Sequence, residues 1–160
     1  LLIGSSEKIT GLSNATQIVT AAAATAITAD ELIDLQESIP DAYQAGAIWI
    51  MSKSTRTAIR KLKDNDGNYI LNKDATAQWG YTLLGKPVYV SDSMPAMKSN
   101  SKAIYYGDMS GLAVKVSENV SIEILREKFA TQHAIGVVGW MEIDSKIENQ
   151  QKIAVLKMGA

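Results

Sequence analysis

The stretch Lys102–Met158, KAIYYGDMSGLAVKVSENVSIEILREKFATQHAIGVVGWMEIDSKIENQQKIAVLKM, decides the fold. It opens on the apolar run Ala103-Ile104-Tyr105-Tyr106, which ends in Gly107-Asp108. Two runs then alternate apolar and polar residues, Leu112–Val116 and Val120–Leu125. That period of two belongs to half-buried strands. The turn-forming residues Ser117-Glu118-Asn119 separate the runs and predict a turn between two strands. After Phe129 comes a long strand-like segment that contains His133. A last apolar run, Ile153-Ala154-Val155-Leu156, predicts a buried strand.

Upstream the pattern changes. Residues 5 to 28 are rich in Ser, Thr, Ala and Gly without a firm period and read as loop or irregular chain, Ala21–Ala24 included. Thr28-Ala29-Asp30-Glu31 is a capping box, so a helix starts near Ala29. Leu32, Leu35 and Ile39 form its apolar face, and Pro40 stops it, with a further turn over Asp41–Ala45. Ala47–Met51 reads as a compact strand. Ser54 is placed to cap a second helix over Thr55–Lys63, with Ala58, Ile59 and Leu62 facing inward. Asp64-Asn65-Asp66-Gly67 is a turn with Gly67 at a positive-φ position. Strands are predicted at Tyr81–Leu84 and Val88–Ser91. Helices and strands mix without βαβ alternation, so the fold class is α+β, a mixed sheet flanked by helices with additional long strands. No internal repeat is visible.

Composition narrows the function. A chain of 160 residues suits one domain with a useful core. Apolar residues make up 46% and charged residues 21%, which fits a globular chain rather than a disordered one. The net charge of -1 offers no overall attraction to nucleic acid or acidic membranes. Without cysteine there is neither a disulfide nor a thiolate metal site, and the redox compartment stays open. No apolar run approaches the roughly 20 residues of a membrane span. The opening Leu1-Leu2-Ile3 lacks both an initiating Met and a signal-peptide pattern, and reads as a chain already in progress.

Candidate chemistry is sparse. Asp64–Gly67 fails as a calcium loop, because the register that puts Gly67 at position six puts Leu62 and Lys73 at the two key ligand positions. His133 is the sole histidine, which excludes a His-pair metal site. Asp108 or Asp92 working with His133 would be the residues of a small hydrolase; the alternative for Asp108 is a carboxylate that accepts backbone N–H bonds in a turn. No nucleophile elbow, phosphate-binding loop or dinucleotide motif occurs. Charge placement is more informative. Asp30, Asp34, Glu37 and Asp41 form an acidic stripe on the first helix and its extension, and Lys53, Arg56, Arg60 and Lys63 a basic stripe on the second. They are either solvated faces or complementary contacts between neighbouring copies, with Asp34 and Glu37 against Arg56 and Arg60 as the interface candidates. No stacking aromatics interleave with the basic stripe, which argues against a nucleic-acid site.

Five short segments, in order, carry a resemblance. Leu2-Ile3-Gly4 with Gly11-Leu12 has the form GDGT…GL, with Ser5-Ser6 in place of the Asp and Gly. Trp49-Ile50-Met51 leads to Leu62-Lys63-Asp64-Asn65-Asp66-Gly67-Asn68-Tyr69-Ile70. Leu84-Gly85-Lys86-Pro87-Val88 precedes Ser91 and Met94-Pro95, and the Lys102–Met158 series completes the set. Together they resemble the C-terminal part of tailed-phage major capsid proteins with the HK97-type fold. The resemblance implies a structural protein, not an enzyme, that self-assembles into hexamers and pentamers enclosing DNA. It implies an end of the P-domain at residues 1–17, an A-domain at 18–117, P-domain strands at 118–147 and a terminal strand, 148–160, returning to the A-domain. The family's arm, extended loop and spine helix would lie before Leu1. It further implies a virion location after assembly in the bacterial cytoplasm. The partners implied are other copies and a scaffold, protease or decoration protein, with no cofactor, no metal, no membrane and no sequence-specific nucleic acid. Some members join subunits by an isopeptide bond between a Lys and an Asn beside a Glu; laid on that pattern, Gln132 stands at the Asn position and Gly139 at the Glu position. Two other readings stay open: a small hydrolase with an unrecognised site, and a nanocompartment shell protein of the same fold.

Overall fold

In a computed structural model of the chain, the described residues are 11–63, 67–69, 71, 80–125, 128, 131, 133 and 135–160. The Leu2–Ser6 motif, Asp64–Asp66, Ile70, Phe129 and Gln132 lie outside them. Eight strands and three helices are described: β1 (Gln17–Thr20), α1 (Ala29–Glu37), α2 (Asp41–Gln44), β2 (Ile48–Met51), α3 (Lys53–Arg60), β3 (Thr82–Leu83), β4 (Lys86–Val90), β5 (Lys102–Gly107), β6 (Leu112–Leu125), β7 (Gly136–Ile147) and β8 (Ile153–Lys157). Six strands make one mixed sheet in the order β1-β8-β5-β2-β4-β3. The other two, β6 and β7, form a separate antiparallel ribbon.

Local chemistry sets the helix ends. Thr28 Oγ1 accepts from the Glu31 N–H (3.3 Å), and Glu31 returns a carboxylate oxygen to the Thr28 N–H (2.8 Å), so the capping box forms as read. Helix α3 begins earlier than its sequence implied. Its cap is Ser52, whose hydroxyl accepts from the Thr55 N–H (3.3 Å), and not Ser54. The strand ends at Met51 and the chain turns at once, so the first of two eligible serines takes the cap. Thr55 is consequently buried, beside Ile59.

The sheet is apolar on both sides, and its alternation sorts the core. Trp49, Met51, Ile104, Tyr106, Ala154 and Leu156 face Leu32, Leu35 and Ile39 of α1 and Ile59 of α3. Their neighbours Ile50, Tyr105, Ile153 and Val155 face the opposite side, against Leu12, Met94 and Ile147. Trp49 and Tyr106 sit 4.3 Å apart between ring centroids, tilted by 37°. The Trp49 indole N–H donates to the Leu83 carbonyl (3.0 Å), which satisfies its one polar atom in the core. The Tyr106 hydroxyl donates to the Gln44 side-chain oxygen, and the Gln44 amide in turn donates to the Gln36 (2.7 Å) and Ile39 (3.0 Å) carbonyls where α1 ends. Burial raises the Tyr106 phenol above its ordinary pKa.

Three readings are corrected. β1 lies in a region read as loop: Gln17–Thr20 runs parallel to β8 as the sheet's outer strand. Its four residues carry too short a pattern to see, and the partner is far along the chain. Leu112–Val116 and Val120–Leu125 are not two strands but one, because register shifts on both sides of Glu118 absorb Ser117-Glu118-Asn119 as bulges. His133 is not inside a strand; it sits exposed in a turn with φ +50, and β7 starts only at Gly136.

Candidate assembly surface

The ribbon decides what this surface can do. Strand β6 is 14 residues long, so it extends about 45 Å at roughly 3.3 Å per residue. Directly paired residues share a face. The pairs Leu112–Ile147, Val116–Ile143, Ile122–Gly139 and Ile124–Val137 therefore put one set of side chains on one side, joined by Val114 and Met141. At the ribbon's root this face merges with the core, where Ile147 and Ser145 are buried. Further out it is bare: Val114, Val116, Ile122 (68% exposed), Ile124, Val137 (68%) and Met141 all meet solvent. The opposite face carries Lys115, Glu118, Glu123, Glu142, Asp144 and Lys146. A two-stranded hairpin is marginal in water, and monomers rarely expose so continuous an apolar strip.

The hydrolase residues do not come together. Asp108 lies four residues before β6, at the ribbon's root, whereas His133 lies in the connection at its far end. Asp92 is exposed in the turn after β4. Asp108 is a turn carboxylate: it accepts from the Ser110 N–H (2.9 Å) and hydroxyl (2.7 Å), and Lys152 Nζ stands 3.7 Å away. The Ser110 N–H and hydroxyl, aided by Lys152, hold its carboxyl below the usual range against the opposing effect of burial. Among the described residues no group of metal-ligating side chains converges. Nor is any described helix long and apolar enough to cross a membrane. A concavity of about 850 Å³ beside α3 is lined by Thr57, Arg60, Lys61, Asn68, Tyr69 and Leu71, a set with no acid–base pair.

The charged stripes lie on α1 and α3, with Arg56 only partly exposed, and the basic one has an unforeseen neighbour. Asp34 and Glu37 are exposed on α1. The Arg56 and Arg60 guanidinium groups lie over the Tyr81 ring, 4.6 and 5.1 Å from its centroid. Lys63 Nζ lies 5.1 Å from the Tyr69 ring. Sequence reading missed Tyr81 because the fold, not local spacing, delivers it, whereas Tyr69 is Lys63's own antiparallel bridge partner. Among the described residues, no ion pair links the two stripes.

Residues 1–158 match the phage capsid family. The chain belongs to that family. That family is one of capsid structural proteins. Its fold is the HK97-type capsid fold, mixed α+β with a six-stranded sheet and a long hairpin. Among solved structures it is similar to the capsid protein of an empty GTA particle, at 24% identity and a TM-score of 0.81, covering 98% of this chain and 58% of that one. The chain from Gordonia phage Cozz matches at 12% identity and a TM-score of 0.65, covering 98% of this chain and 53% of that one. The SrpI encapsulin from Synechococcus elongatus PCC 7942 matches at 19% and 0.67, with 98% and 58% covered. The capsid chain thus spans between about half and three-fifths of the length of these relatives. No curated protein sequence matches it significantly.

Proposed function

We propose that the protein is a subunit of a phage or prophage shell, self-assembling into hexamers and pentamers that enclose DNA and residing in the virion after assembly in the bacterial cytoplasm. The observation that carries this reading is the solvent-facing apolar strip of the β6–β7 ribbon, Val114 to Met141, which runs out of the core with no covering element among the described residues. Burial against other parts of the shell supplies that cover, at about 25 cal/mol per Å² of apolar area removed from water. The five-fold symmetry used for the similar GTA capsid is in keeping with a ring of such subunits.

In this reading residues 18–117 with 148–160 form the A-domain, 118–147 the P-domain strands and 1–17 the end of a P-domain segment. The acidic stripe at Asp34 and Glu37 meets the basic stripe at Arg56 and Arg60 of the next copy, a heterologous contact that closes by rotation. A scaffold, protease or decoration protein completes the partner set. Electron microscopy of the full-length product tests the proposal. Closed shells containing DNA are expected, and Ile122→Asp with Ile124→Asp should abolish them. A full-length product that stays monomeric at high concentration overturns the reading; shells filled with protein cargo and free of DNA move it to the nanocompartment class.

A further inference from the structure

The loop over residues 21–27 and helix α3 leave a socket between them. It is a cavity of about 320 Å³, with a floor of Ile27, Ile59 and Leu62 and a rim of Thr25, Ser54 and Lys61. Small side chains create it: Ala26 on the loop and Ala58 on α3 are too short to close the gap above the floor. Hydrogen bonds hold the loop wall in place. The Ala21 N–H donates to the Lys157 carbonyl (2.8 Å), and the Gly159 N–H donates to the Ala23 carbonyl (3.1 Å). The Ala22 N–H donates to one Glu31 carboxylate oxygen (2.7 Å), while the other oxygen caps α1 at Thr28. One side chain thus fixes both the start of α1 and the wall of the socket. A socket held in this way can take an apolar side chain without first ordering the chain around it.

The matching knob is on α1. Ile33 is 45% exposed, and among the described residues it is the one large apolar side chain that a helix presents openly to solvent. Helical geometry sets it away from the buried Leu32 and Leu35, beside the exposed Asp30, Asp34 and Glu37. The knob is therefore rimmed by negative charge. The socket is rimmed by positive charge, with Lys61 at its mouth and Arg60 next to it on the outer face of α3. The order of the two features also agrees. Ile33 lies at one edge of the acidic stripe, and the socket lies at one edge of the basic stripe. Residues advance by about 100° in the same sense on both helices, so a parallel α1 and α3 from different copies bring knob to socket and acid to base together. An antiparallel pair puts the knob on the Arg56 side of α3 instead. Ile33 does not line its own subunit's socket, so the contact closes between copies. We propose that Ile33 of one copy inserts into the socket between loop 21–27 and α3 of the next, with its flanking carboxylates over Lys61 and Arg60. The inference rests on the shell reading, and adds to the stripe contact an apolar anchor and a direction. Knob and socket are different patches of one subunit, so the contact repeats around a ring and does not end at a dimer. The exposed charges set the register, while burial of the isoleucine supplies most of the affinity.

The test uses the full-length protein. The 160 residues contain no cysteine, so thiols introduced into them report on their own neighbours. Ile33→Cys and Ala26→Cys proteins are assembled together and treated with a short thiol-reactive cross-linker. Mixed shells should give a covalent dimer on a denaturing gel, and shells of either variant alone should not. The lowest protein concentration that yields shells, read by light scattering and electron microscopy, gives a second measure. Ile33→Gln should raise it by about tenfold, and so should Ala58→Leu, which fills the socket. Ile33→Leu, which keeps an apolar knob of the same volume, should stay within about twofold of wild type. Lys61→Glu should raise it at low salt and by less at high salt. Ile33 lies outside both core clusters, so Ile33→Gln should leave the melting temperature of the unassembled subunit unchanged, which separates docking from folding. Normal assembly of Ile33→Gln, with no dimer from the mixed shells, overturns the knob and leaves the shell reading intact. A dimer from Ile33→Cys shells alone sets α1 against α1 and overturns the socket as its partner. Failure of the wild-type full chain to assemble removes the shell reading and this contact with it.

Discussion

Gly107, the last residue of β5, lies directly beneath the carbonyl of Lys152: a Cβ built on Gly107 would stand 2.0 Å from that oxygen. Its φ of +146° is also one that side chains rarely adopt. The Asp108 N–H donates to the same carbonyl (3.0 Å), so the oxygen cannot swing away without losing a bond. Gly107 thereby fixes where the ribbon leaves the sheet, since β6 begins just beyond it and β8 starts beside Lys152. Gly107→Ala must separate β5 from β8 at their junction. We expect a loss of roughly 3 kcal/mol or more, in the range of the severe backbone and packing substitutions, measured by chemical denaturation. A loss below about 1 kcal/mol would show that the junction gives easily.

Tyr105 predicts an alkaline limit. The ring is 1% exposed on the sheet face away from the helices, and burial pushes its phenol up to about 12. In the unfolded chain the phenol titrates near 10. The neutral form is the one the fold holds, so this contribution is complete below pH 10 and is lost as pH rises from 10 toward about 12. Tyr106 is shifted in the same direction, again mainly by burial. Stability measured from pH 9 to 12 should fall in wild type, and Tyr105→Phe should fall less steeply. Identical slopes would place the alkaline sensitivity elsewhere.

Parts of this architecture were legible at once and others were not, for physical reasons. α1 is written locally, in Thr28, Glu31 and Pro40, so its ends agree with the structure. β5 and β8 are buried on both faces and read as plain apolar runs. β1 draws its strand character from β8, which no local window contains. Ser117-Glu118-Asn119 has turn composition, but the long β6–β7 pairing on either side carries the strand through it, and the turn became two bulges. The alternation of Ile122 and Ile124 was visible; that both side chains meet solvent was not. Of the surface residues, the spacing of Asp34, Glu37, Arg56 and Arg60 could be counted, yet Tyr81 beneath the two arginines could not.

Covalent cross-linking is expected to be absent. An isopeptide bond between Lys and Asn releases ammonia and needs a carboxylate near the ammonium to take its proton. Gly139, at the position the Glu would hold, sits in β7 opposite Ile122 on the apolar face, with no side chain to serve. The nearest following carboxylate, Glu142, is on the other face beside Trp140. Gln132, at the Asn position, lies outside the described residues. Mature particles should therefore run as a single monomer band on a denaturing gel. A ladder of covalent multimers would overturn this, and peptide mapping would identify the bond.

The charged stripes give the last prediction. Exposed ion pairs contribute only about 0–1 kcal/mol each, so their effect in a ring is chiefly on register and specificity, repeated at every subunit. Asp34 and Glu37 are free to meet a neighbour on the outer side of α1, because Leu32 and Leu35 take the inner side. Arg56 and Arg60 have a second task within the subunit, stacking on Tyr81, worth about 0.5–1 kcal/mol each at exposed sites. Reversing both arginines should thus lower subunit stability by roughly 1–2 kcal/mol as well as impair assembly. Compensation separates the two effects. In the full-length protein, Arg56→Glu with Arg60→Glu should reduce capsomere formation, and adding Asp34→Lys with Glu37→Lys should restore part of it without restoring the melting temperature. The rescue should weaken as salt rises, because the restored contact is exposed. If the arginine reversals assemble normally at low and moderate salt, or if the acidic reversals bring no recovery, the stripes do not face each other across subunits, and the role of the two arginines ends at Tyr81.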